Sequence, residues 1–145
     1  MPEASRTIVI QAPIDEVFAF FTEPANDQRW RPQVKEIAVQ GPGPVAVGTT
    51  IHQVVKGPGG RGIAADVEVT GYEPPARYAF RAIAGPVRPT GEYRFSAEDS
   101  TTAVTFSLQA DLSGLKKLFM SRAVQASMDG EMASLDTAKK VLESS

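Results

Sequence analysis

The chain has no cysteine, so disulfides, thiolate nucleophiles and cysteine-based metal sites are all excluded. It has a single histidine, His52, and one imidazole cannot supply the several ligands that zinc or non-haem iron requires. No serine sits in a nucleophile-elbow sequence, which removes the usual signature of Ser-His-Asp catalysis. No apolar run approaches the ~20 residues that cross a bilayer, and the polar segment Met1 to Thr7 lacks a signal-peptide core. Neither charge sign dominates: the net charge is −2, which gives no electrostatic footprint for nucleic acid or an anionic membrane. The expectations are therefore a cytoplasmic protein without metal or cofactor, without nucleic-acid or integral-membrane partners, and either monomeric or homodimeric.

What remains is ordinary globular material. The 145 residues, 42% apolar and 22% charged, suit one domain spanning residues 1–145. Thr7 to Gln11 alternates as a strand. Pro13 then opens a helix whose stripe is Ile14, Val17, Phe18 and Phe21. Pro24 to Trp30 reads as a second short helical turn closed by Pro32. Strands follow at Val34 to Gln40, at Thr49 to Lys56, and from Ile63 to Gly71, the last facing Ile63, Ala65, Val67 and Val69 one way. Tyr78, Phe80 and Ala82 share a face, as do Tyr93 and Phe95, and Val104, Phe106, Leu108 and Ala110 form a final inward row. The proline-free stretch from Ser113 to Ser145 carries Met120, Val124, Met128, Leu135, Ala138 and Leu142 at helical spacing, with Ser113 as the expected N-cap and Leu115, Leu118 and Phe119 anchoring the start. Short loops between one-faced strands predict an antiparallel meander covered on one side.

Five stretches in this order resemble the START-like (SRPBCC) superfamily, and more narrowly its bacterial polyketide cyclase/dehydrase-like branch. They are Ile10-Gln11-Ala12-Pro13-Ile14-Asp15-Glu16-Val17-Phe18, then Arg29-Trp30-Arg31-Pro32, Val47-Gly48-Thr49-Thr50, Tyr72-Glu73-Pro74-Pro75, and Leu135 to Glu143. The resemblance implies an α+β helix-grip fold: a seven-stranded antiparallel curved sheet wrapped around a long C-terminal helix, with two short helices after the first strand. It also implies a pocket between sheet and helix that holds lipids, polyketides or other ring compounds.

On this frame the expected ligand wall is Phe18, Phe21, Val67, Tyr78, Phe80, Tyr93, Phe95 and Phe106 from the first helix and the sheet. Met120, Val124 and Met128 add the long helix, and Trp30 either stacks on a ligand or anchors its short helix. The first expectation is a non-enzymatic protein that holds an apolar or aromatic ligand. An alternative is a cyclase or dehydratase acting on a ring substrate, with His52 or Tyr93 as acid/base and Arg88 as electrophile. A third reading is a partner-binding module. Arg81, Glu92 and Arg94 are expected on the outer face as cross-strand ion pairs. Gly57-Pro58-Gly59-Gly60 and Gly85-Pro86-Val87-Arg88-Pro89 are candidate gates. Gly130, in the middle of the helix, marks either a kink or thin spot where a ligand has room, or a position that simply faces solvent or a tight contact.

Overall fold

A computed structural model describes residues 2–85, 87–112 and 114–144, with the backbone alone for Pro58 and residues 114–119. Its strands are β1 (Glu3–Ile10), β2 (Val34–Gln40), β3 (Thr50–Lys56), β4 (Gly62–Ala64), β5 (Val67–Glu73), β6 (Arg77–Ala82), β7 (Thr90–Glu98) and β8 (Thr101–Gln109). The helices are α1 (Ile14–Thr22), α2 (Asp27–Trp30) and α3 (Gly114–Glu143). The sheet is antiparallel in the order β1-β8-β7-β6-β5-β3-β2, with β4 pairing only β3. This is the expected helix-grip arrangement, seven strands curled around one long helix. No helix among the described residues is long and apolar enough to cross a membrane.

The local chemistry explains each element. Pro13 stands at the N-cap of α1, and Asp15 and Glu16 face its positive end. A 3-10 turn over Pro24–Asn26 leads into α2, where the Glu23 side chain accepts from Ala25 N–H. The run expected as one strand from Ile63 to Gly71 is two. It breaks at Ala65-Asp66 because the Asp66 carboxylate accepts the Gln53 N–H (3.0 Å) while its carbonyl accepts from Ile83 N–H (2.8 Å). A register shift between Val69 and Gly71 then leaves Thr70 unpaired, so Tyr72 returns to the inner face opposite Tyr78. Gly91 is set by a close approach: a Cβ there would lie 2.3 Å from the Phe80 ring, which crosses directly over it.

The outer face carries the ion pairs expected of it. Arg77 bridges Glu73 and Glu92, Arg94 joins Glu92, and Arg81 joins Glu68.

α3 has 30 residues, roughly 45 Å at 1.5 Å per residue, and runs unbroken through Gly130. The expected weak point is therefore not a kink. The N-cap assigned to Ser113, and the anchoring assigned to Leu115, Leu118 and Phe119, lie outside the described residues. Val124, Met128, Met132, Leu135, Ala138 and Leu142 are all buried, one face of the helix turned to the core. The same helix covers the open edge of β1. Gln125 exchanges hydrogen bonds with the Glu3 main chain, Arg6 reaches Met132 O and Asp136, and Lys139 Nζ donates to Val9 O (2.7 Å).

Candidate functional site: a cavity between sheet and helix

Over the middle strands α3 stands away from the sheet, leaving a cavity of about 1000 Å³. That is at the upper end of the ~300–1,000 Å³ usual for small-molecule sites. Its floor is an aromatic row built by strand register. Tyr78 pairs with Tyr93 and Tyr93 with Phe106, so the three side chains fall side by side across β6, β7 and β8. Tyr93 and Phe106 stack with centroids 4.2 Å apart and planes 2° from parallel. Phe21, Phe80, Ile51, Val55 and Val67 continue the wall.

The roof is α3. Beside its buried stripe runs a second face of small side chains that lines the cavity: Ala123, Ala126, Ser127, Gly130, Ala133, Ser134 and Thr137. A Cβ at Gly130 would meet nothing within 4 Å. The room expected at mid-helix is thus made by side-chain size. Ser134 Oγ donates to Gly130 O (3.1 Å), which keeps that hydroxyl on its own helix. Lys56, Gly57 and Ile63 around the β3–β4 connection, and Ala84, Val87 and Pro89 from the β6–β7 loop, also line the cavity. Both glycine-proline loops singled out as gates therefore touch it.

Nine of the residues expected to meet a ligand line the cavity: Phe21, Val67, Tyr78, Phe80, Tyr93, Phe106, Met120, Val124 and Met128. Three do not, because other side chains take their surfaces. Phe18 packs edge-on against Phe95 (5.1 Å) beneath α1, which seals Phe95 from the cavity. Trp30 is 1% exposed, set edge-on to Phe21 at 5.2 Å, and acts as the anchor of α2. Its Nε1 has no hydrogen-bond partner among the described residues.

The catalytic candidates divide in the same way. Strand β3 turns Ile51, Gln53 and Val55 inward, so His52 is on the outer side, where Nδ1 lies 3.1 Å from Asp66 and Nε2 3.7 Å from Glu36. Arg88 is exposed in the β6–β7 loop, its guanidinium against Gly85 O. Only Tyr93 of the three reaches the cavity.

One group was missed altogether. Arg31 enters the cavity wall and donates from Nε and Nη2 to the two oxygens of Glu131 (2.9 and 2.8 Å). Its Nη1 donates to Asp27 (2.9 Å) and to Gln53 Oε1 (2.7 Å), and Gln53 Nε2 in turn donates to Ala65 O. Asp27, Arg31, Gln53 and Glu131 all line the cavity. Burial pushes the Asp27 carboxyl up to about 6 despite the opposing pull of Arg31. Burial works against the charged form of Arg31 too, but Glu131 and Asp27 outweigh it and hold the pKa above its ordinary value. The phenols of Tyr78 and Tyr93 are raised by burial, with Asp27 adding to the effect, so both are neutral at physiological pH. The spacing of Asp27 and Arg31, four apart from the start of α2 to its C-cap, was available in the sequence as an ion-pair signal. Glu131, a hundred residues away, was not.

The model of the polyketide cyclase / dehydrase and lipid transport family matches residues 1–140. The chain belongs to this family. Among solved structures, TTHA0849 from Thermus thermophilus superposes with a TM-score of 0.79 at 18% identity, covering 96% of this chain and 95% of that one. A START superfamily protein from Mycobacterium smegmatis gives 0.73 at 10% identity over 97% of this chain and 98% of that one. The di-domain ARO/CYC BexL from the BE-7585A biosynthetic pathway gives 0.74 at 18% identity; the match spans 97% of this chain and 50% of BexL. At these identities the likeness establishes the fold of the family and not a shared reaction. No curated protein matches the chain in sequence. In this member of the polyketide cyclase / dehydrase and lipid transport family, the site combines a small-residue roof with a buried Arg31 cluster.

Proposed function

We propose that this protein binds an apolar or aromatic small molecule, lipid-like or polyketide-like, in the cavity between the sheet and α3. The observation that carries the reading is the pairing of an aromatic floor with a roof of alanine, serine and glycine around about 1000 Å³. A helix serving only as core would fill that space, since protein interiors are packed to near-crystalline density. Three of the four charged residues in the lining, Asp27, Arg31 and Glu131, stand together, as the placed polar groups of small-molecule sites do. The family's range, from cyclases to lipid transport, agrees with a binding cavity as the shared device.

The test is a fluorescence titration with the neutral probe N-phenyl-1-naphthylamine, on the natural protein and on Gly130→Trp. A Cβ at 130 meets nothing within 4 Å, and replacing a mid-helix glycine by tryptophan relieves about 0.5 kcal/mol of helix cost. The variant should keep its thermal stability and lose probe affinity by about tenfold or more, equivalent to ~1.4 kcal/mol. Equal affinity in both proteins overturns the reading.

A second reading, a cyclase or dehydratase acting in the same cavity, draws support from one observation. Tyr93 supplies a neutral phenol to the lining, and Asp27, with its pKa near 6, supplies a carboxylate beside it. His52 and Arg88 have no part in it. Mass spectrometry of a poly-β-ketone incubated with the protein separates the two: unchanged mass and unchanged ring content favour binding, while loss of water or ring closure favours the enzyme. A partner-binding role would rest on an exposed apolar patch. The exposed large apolar residues among those described are Val9 and Val47, which do not lie on one element.

A further inference from the structure

The cavity's polar end restricts the chemistry of what it accepts. Arg31 is the cation that a carboxylate-bearing ligand would be expected to seek, but four of its five N–H groups are committed. Glu131 takes two of them in a bidentate pair, and Asp27 and Gln53 take the two on Nη1. One guanidinium against two carboxylates leaves the cluster with a net negative charge. The arginine and both acids are nearly buried, with side-chain exposures of 12%, 15% and 14%, so water screens little of that charge. Lys56 is the remaining charged residue on the described lining, and it is exposed. In the same lining stand Tyr78 and Tyr93, whose phenols burial keeps neutral, with Asp27 adding to the effect.

We infer that the cavity selects a neutral ligand whose polar end carries hydroxyl groups, and discriminates against the same skeleton ending in a carboxylate. Resting on the binding function proposed above, the inference narrows its ligand class. An O–H on the ligand can donate to a carboxylate oxygen of Asp27 or Glu131 and accept from a tyrosine. A carboxylate in that place could accept from the same tyrosines and from the last N–H of Arg31, but unlike the alcohol it meets two like charges in a largely buried cluster. Like-charge juxtaposition of this kind costs far more than a lost hydrogen bond.

The experiment is competition of 1-dodecanol and dodecanoate, matched in chain length, against bound N-phenyl-1-naphthylamine at pH 8. The natural protein should release the probe at a dodecanol concentration about tenfold or more below that needed for dodecanoate, given the cost of like-charge contact. Glu131→Gln, which leaves one carboxylate against the arginine, should narrow that ratio several-fold. Asp27→Asn removes the other carboxylate, keeps an acceptor for Arg31, and should narrow it likewise. Dodecanoate competing as well as dodecanol in the natural protein overturns the inference while leaving the binding function intact. A ratio that neither variant changes also overturns it, because the discrimination then lies elsewhere. Failure of the probe to bind at all strikes the proposed function itself.

Discussion

The protein carries two clusters of arginine and carboxylate, one on each side of the sheet, and burial makes them behave in opposite ways. On the outer face Glu92 receives Arg77 and Arg94, and although partial burial works to raise its pKa, those hydrogen bonds outweigh it and hold the carboxyl below its ordinary range. On the inner side Asp27 also receives an arginine, but there burial wins and the carboxyl rises to about 6. The ion-pair chemistry is the same in both places. Access to water decides whether a carboxylate next to an arginine stabilises the fold or works against it.

Removing the centre of the inner cluster should break this contrast most severely. Arg31→Met leaves Asp27 and Glu131 buried without a cation, and should destabilise the protein by about 3–5 kcal/mol in urea unfolding. A smaller effect, of opposite sign, is expected from Asp27→Asn. Between its unfolded value of 3.8 and its folded value of about 6, Asp27 stays protonated in the folded chain and not in the unfolded one. Its contribution to stability is therefore fully present below the lower value and lost as pH rises through the upper one. Asp27→Asn should gain about 1–3 kcal/mol at pH 7.5, and the gain should fade to nothing near pH 4. Guanidinium unfolding across that range reads it directly; a loss at pH 7.5 would mean that Arg31 needs both acids. The outer face supplies the smallest effect. Arg81→Ala, which removes an exposed pair with Glu68, should cost under about 1 kcal/mol and less still in added salt.

The same contrast separates what the sequence disclosed from what it concealed. Alternation along β6, β7 and β8 placed Tyr78, Phe80, Tyr93 and Phe106 on the inner face, because side-chain direction in a strand is a local property with a period of two. That period also put Arg81, Glu92 and Arg94 outside. The error at Ile63–Gly71 arose where the period was interrupted: Asp66 diverts main-chain hydrogen bonds, and one unpaired residue, Thr70, shifts the phase. Phe18, Trp30 and Phe95 are apolar and buried as expected, but they are not part of the wall. Which buried aromatics are covered by α1 and which by open space depends on how elements meet, and periodicity does not carry that. The Arg31–Glu131 pair joins residues a hundred positions apart. The roof was partly legible: the glycine and small residues near position 130 signalled room, and the structure provides it through side-chain size with the helix backbone intact.

The way α3 covers β1 has a consequence for traffic through the cavity. Strand β1 ends the sheet, and a bare edge strand is an invitation to pair with another chain. Gln125, Arg6 and Lys139 tie the helix along that strand, two of them through β1 main-chain groups that would otherwise be open for pairing. A helix that swung away to admit a ligand would uncover that edge each time, and the protein would court aggregation with every cycle of uptake. Guests are therefore expected to come and go by movement of the Gly57 and Val87 loops, which also line the cavity, while the helix stays fastened as a hem that keeps the sheet from fraying.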